Sequence, residues 1–144
     1  MPKIIFVYFL LFVWNSPDIT AQSMWQVMSQ VSYQKIKDES LGFELDYPLF
    51  SKELQSYEGK QITIRGYIIP TDGYKSQKEF VFSASPYKSC FFCGGAGPET
   101  VIEVFSTNGI NFTSEKIEIK GILKLNRTDL NRLMFQLLNA EEIK

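Results

Sequence analysis

Beyond residue 50 the chain alternates apolar and polar positions in short runs divided by Gly, Pro and polar clusters, the pattern of half-buried β-strands. Gln61 to Ile69 sets Ile62 and Ile64 against Thr63 and Arg65, is interrupted by Gly66, and stops at Pro70, which cannot continue a central ladder. Gly66 predicts a bulge or a sharp bend. After a polar loop, Thr71 to Lys78, a second strand is expected over Glu79 to Ala84 and a third over Thr100 to Phe105. Lys116 to Leu125 supplies a fourth, bent again at Gly121, and a helical turn near Thr128 to Asn131 leads to a last strand around Met134 to Ile143. Upstream, Trp25 to Ile36 reads as a helical turn passing into a strand near Val31. Phe50 to Gly59 reads as a short helix with Ser51 as its N-cap, Leu54 and Tyr57 facing inward, and Gly59 as a left-handed stop.

Five strands of modest length, two of them bent at glycine, with a helical turn before the last, predict a mainly β fold. The nearest architecture is a small OB-like five-stranded barrel with one or two short helices. The βαβ alternation of a thioredoxin-like or nucleotide-binding sheet is missing. The chain divides into residues 1–21 as a signal peptide, 22–49 as an N-terminal extension packing on the barrel, and 50–144 as the barrel itself.

The leader rests on Lys3, the apolar stretch from Ile4 to Trp14, the polar Asn15-Ser16-Pro17-Asp18, and the small Ala21 as cleavage residue. That stretch is short of the roughly 20 residues a spanning helix needs. No cysteine lies near the cleavage point to carry a lipid. The mature chain is therefore expected to be exported, periplasmic or secreted, with no stable membrane span. Asn111-Phe112-Thr113 and Asn126-Arg127-Thr128 match the N-glycosylation pattern, which matters only in a eukaryotic secretory route.

Composition narrows the function classes. Fifteen basic against 16 acidic side chains give no basic face for nucleic acid. The absence of histidine removes Ser-His and Cys-His catalysis and His-ligated metals, and no carboxylate pair has a glycosidase context. The remaining chemistry sits in one block, Cys90-Phe91-Phe92-Cys93 followed by Gly94-Gly95-Ala96-Gly97-Pro98-Glu99, which holds both cysteines of the chain.

Two thiolates separated by two residues can turn toward one ion, as half of a tetrahedral zinc site or a whole site for Cu(I). The additional zinc ligands would be Glu99 and Glu103, or a second copy of the loop across a homodimer. Glu99 also reads as the start of a solvated strand end, and Glu103 as an outward residue on an edge strand. The same cysteines could serve thiol-disulfide exchange, which needs a thiolate of depressed pKa at a helix N-terminus or beside a cation. Lys88 is the one nearby cation in the sequence. A third reading is a structural loop, closed by a disulfide or left as a turn; so short a closure constrains the unfolded chain little. Core packing is expected for at least one of Phe91 and Phe92, and for Phe80 and Phe82. Tyr67, Phe80 and Phe82 could alternatively line a ligand face, and Arg65 could hold an anion, although an outward strand arginine is the ordinary case. The Gly94 to Gly97 run lacks the Gly-Lys-Ser/Thr end of a phosphate loop and reads as a backbone turn.

The order Trp25, Tyr47-Pro48, Gly59-Lys60, Gly66-Tyr67-Ile68-Ile69-Pro70, Phe80 to Ser83, Cys90-Phe91-Phe92-Cys93-Gly94, Ala96-Gly97-Pro98-Glu99, Gly121 and Leu125-Asn126 resembles an uncharacterised family of exported bacterial domains with an OB-like barrel. The Cys90 to Glu99 block is the most specific part of the resemblance. Distant members carry a Cys-x-His element followed by prolines where this chain has Cys90 to Cys93, an exchange that alternative metal ligands would produce. Many relatives look lipid-anchored, and this leader departs from them. The resemblance implies an OB-like barrel and export but no activity. Together these readings predict an exported, non-enzymatic OB-like binding protein. Its Cys-x-x-Cys loop would bind zinc or copper in envelope metal handling or in a complex with a protein partner.

Overall fold

A computed structural model describes residues 21–39, 41–70 and 78–144. The expected leader up to residue 20 and most of the Thr71 to Lys78 loop lie outside the described residues. Five strands close into a barrel in the order β3-β4-β5-β7-β6, where β3 is Gln61–Ile69, β4 Glu79–Ser83, β5 Val101–Ser106, β6 Ile117–Leu125 and β7 Phe135–Ile143. Every pairing is antiparallel except β5 with β7, which is parallel. This is the OB-like barrel that the strand pattern predicts. Its interior holds the apolar member of each alternating pair: Ile62, Ile64, Phe80, Phe82, Ile102, Val104, Ile119, Leu123, Phe135 and Leu137 are all buried. Phe80 and Phe82 are thus core residues, whereas Arg65 is exposed.

The two glycines act as the pattern requires, by different means. β3 pairs with β6 as far as Gly66 and with β4 from Tyr67 onward, so Gly66 is the corner at which the strand changes partner. A Cβ there would collide with the Ser83 carbonyl. At Gly121 the β6–β7 register slips between Lys120 and Ile122. The extra residue lies across the ladder in β7, where Asn139 adopts a left-handed φ of 53°. Asparagine tolerates that conformation better than most side chains.

Before the barrel come helix α1 (Ala21–Met28), strands β1 (Ser32–Lys37) and β2 (Glu44–Leu49), and helix α2 (Lys52–Ser56). The helical turn passing into a strand near Val31 is present. α1 packs against β3 and buries Met24, Trp25, Val27 and Met28 in the same core cluster as the barrel residues. β4 pairs with β3 only from Tyr67 to Ile69, and Trp25 Nε1 donates to the Arg65 carbonyl at 2.9 Å, meeting a part of β3 that β4 leaves open. α2 has the expected N-cap, Ser51 accepting from the Leu54 N–H, and Leu54 is fully buried; the helix ends at Tyr57 in a right-handed conformation, and Gly59, with φ 77°, turns the chain two residues further on. β1 and β2 form a separate antiparallel two-stranded sheet, with Tyr33 opposite Pro48 and Lys35 opposite Asp46.

One expected element is absent. Residues 126–134 form turns instead of a helical turn at Thr128 to Asn131, because the Asn126 side chain competes for the backbone. Its amide nitrogen is within hydrogen-bond reach of the carbonyls of Asp129, Arg132 and Leu133, and its oxygen accepts from the N–H groups of Thr128 and Asp129. Strand directions place this loop, the β4–β5 connection with both cysteines, and the α2–β3 junction at one end of the barrel.

Candidate functional site

The cysteine loop is stapled at its base by the Ala84 N–H bonding the Thr100 carbonyl at 3.0 Å. Between these residues the backbone makes three single-turn 3₁₀ segments, Tyr87–Ser89, Phe91–Cys93 and Pro98–Thr100. The Cys90 carbonyl accepts from both the Cys93 and the Gly95 N–H, at 3.1 and 3.2 Å, which folds the chain back on itself. Glycine is needed twice in that reversal. Gly94 takes φ 76°, and a Cβ on Gly95 would run into the Ser89 backbone. The glycine run is therefore the backbone turn that its sequence suggests.

This fold puts the two sulfurs side by side in different surroundings. Cys90 is completely buried and Cys93 is exposed; they are free thiols, not a disulfide. Partial loss of hydration, the neighbouring Cys90 sulfur and a hydrogen bond with it push the Cys93 thiol above its ordinary pKa. The accessible sulfur thus has less thiolate character than a free cysteine, opposite to the needs of an attacking redox thiol. Phe91 and Phe92 meet edge to face at 5.4 Å between ring centroids. Neither ring is buried in the core: Phe91 is half-buried and Phe92 is 47% exposed. The expectation of core packing for one of them fails because the 3₁₀ turn holding them projects from the end of the barrel.

Of the four proposed ligands, the structure brings together the two cysteines. Among the described residues no group of three or more His, Cys, Asp or Glu side chains converges in a way that could hold a metal ion. Glu103 is held elsewhere. Its strand β5 lies between β4 and β7 and is not an edge, and its side chain is only 13% exposed. Arg132 bonds it at 2.7 Å while also reaching Glu79, and the Gln136 amide adds a bond at 3.3 Å. Glu99 lies in the Pro98–Thr100 turn, its carboxylate folded back against Gly97.

Beside the cysteine turn lies a second feature that the sequence does not suggest. A half-open cleft of about 210 Å³ is walled by Tyr33 and Asp46 of the β1–β2 sheet, Phe91 and Pro98 of the cysteine loop, and Leu130 and Met134 of the 126–134 loop. Its walls come from three segments far apart in the chain. Local patterning carries no signal for such a convergence. Comparison with protein-family models, curated proteins and solved structures gave no significant match.

Proposed function

We propose that this is an exported, non-enzymatic OB-like binding protein whose Cys90–Cys93 pair holds one soft metal ion, Cu(I), for metal handling in the envelope. The observation that carries this reading is the pairing of a buried and an open free thiol in one turn, already within hydrogen-bond reach of each other. Two thiolates suffice for Cu(I), whereas zinc requires four ligands. Glu103 is occupied by Arg132, and Glu99 does not join the cysteines. The ion would enter from the Cys93 side and displace the thiol protons, so that binding weakens as pH falls. Export rests on the leader pattern of Lys3, Ile4 to Trp14 and Ala21.

Anaerobic titration of the reduced mature protein against a chromophoric Cu(I) chelator tests the proposal. One Cu(I) per chain is expected, with Cys93→Ser unable to compete with the chelator. Failure of the wild type to compete, or retention of the ion by Cys93→Ser, would sink it. Half a zinc per chain in a doubled-mass species would replace it with a zinc site shared across a homodimer.

A further inference from the structure

The cleft between the β1–β2 sheet, the cysteine loop and the 126–134 loop has a chemistry of its own, independent of the metal reading. Its floor is apolar, with Pro48, Leu130 and Met134 beside the Tyr33 and Phe91 rings. Among the described residues the Tyr33 hydroxyl donates to the soft sulfur of Met134, at 3.8 Å. Both arginines that line the cleft are already neutralised. Arg127 makes two bonds to the Glu58 carboxylate and stacks on Phe50. Arg132 bonds Glu79 and Glu103 and stacks on Phe105.

The charge left at the rim is negative. Asp46 and Asp129 line the cleft, and Glu99 adjoins its Pro98 wall. Asp46 has a 3.7 Å contact with Lys35 in which both side chains are well exposed, and Asp129 accepts a backbone bond from Asn131. An exposed pair of that kind holds its carboxylate weakly. Partial loss of hydration, and after it the charges of Glu99 and Asp46, oppose ionisation of the Tyr33 phenol.

We infer that this cleft receives an arginine side chain from a partner polypeptide. The match is one of charge and shape. An arginine lays an apolar stem along apolar surface while its planar head stacks on aromatic rings and bonds carboxylates in pairs. A volume of about 210 Å³ is below the usual range for a whole small-molecule ligand and suits a single side chain. The reading goes beyond the proposed copper site and survives its failure, since neither sulfur takes part.

The test is a ¹⁵N–¹H NMR titration of the reduced protein with N-acetyl-arginine methylamide. The citrulline analogue serves as neutral isostere and tetramethylammonium as a cation without a stem. Saturable shifts are expected at Tyr33, Phe91 and Leu130 with the arginine probe and not with the citrulline one. Asp46→Asn with Asp129→Asn, which keeps side-chain shape and the acceptor for Asn131, should weaken binding at least tenfold, while Cys93→Ser leaves it unchanged. Equal binding of citrulline, shifts outside the cleft, or no saturable shift would overturn the inference. Tetramethylammonium binding as tightly as the arginine probe would overturn it in favour of a small quaternary amine.

Discussion

Asn126 organises nine residues of chain through one side chain, and aspartate in its place would separate the two halves of that work. The aspartate keeps the oxygen that accepts from Thr128 and Asp129 but loses the amide that serves the carbonyls of Asp129, Arg132 and Leu133. Removing the donor should cost about 2 kcal/mol, the range for leaving partly buried acceptors unpaired. Urea unfolding of Asn126→Asp checks this, and loss of the Leu130 resonance position in the NMR spectrum would show that the loop itself has moved. The same bonds occupy the amide that a glycan would need, whereas Asn111 is exposed. Glu58 carries a pH signature at the same end of the barrel. The Arg127 guanidinium bonded to it, helped by the Leu125 N–H, holds its carboxyl below the ordinary range despite some loss of hydration. A depressed folded pKa means stability that is present above the unfolded value of about 4.5 and lost as pH falls through the lower folded value. Glu58→Gln should therefore flatten the acid limb of a stability–pH curve below about 4.5 and leave its slope at neutral pH unchanged; an unaltered acid limb would refute the assignment.

At the scale of elements, β3 shows what a glycine in a strand does. Gly66 sits where the strand leaves β6 and takes up β4, with the Ser83 carbonyl in the space a side chain would need. Gly66→Ala must push β4 away at the corner, at a cost of about 3 kcal/mol, the upper part of the range for overpacking. Equilibrium unfolding measures this, and a loss under about 0.5 kcal/mol, the spread of harmless surface changes, would mean that the corner can relax. The barrel strands were legible because period-two alternation and glycine or proline breaks are local properties: β3 begins and ends at the residues its pattern indicates. That the ladder is irregular at Gly121 was legible too, but the extra residue opposite, Asn139, was not, since it depends on the register between β6 and β7. The missed turn at residues 126–134 has a similar cause, a side chain bonding carbonyls up to seven residues away. For the site, Cys90 and Cys93 were legible as a pair, because their spacing alone makes them neighbours. That Glu103 belongs to Arg132, 29 positions on, was not.

The whole molecule divides into parts of unequal stability, and the division does not follow chain order. α1 comes first among the described elements, yet Met24 and Met28 are almost entirely removed from solvent within the barrel core. The β1–β2 sheet follows it and is different. All six β1 residues are exposed, as are Leu41, Phe43 and Leu49, and a lone two-stranded sheet is marginal in water. Among the described residues, Tyr33 ties it to Met134 and the chain leaves it directly into α2. Native-state hydrogen exchange should therefore show the β1–β2 amides opening locally, at far lower free energy than the global transition, while the amides of α1 bonded within the helix exchange with those of β3 and β6. Equal protection of β1 and β6 would refute this division. So would α1 exchanging with β1, since it would detach the helix from the barrel core. If local opening is confined to the sheet, the wall carrying Tyr33 and Asp46 is the movable side of the cleft. The arginine probe, by holding that wall against the cysteine loop and the 126–134 loop, should then slow β1–β2 exchange selectively and leave barrel exchange unchanged.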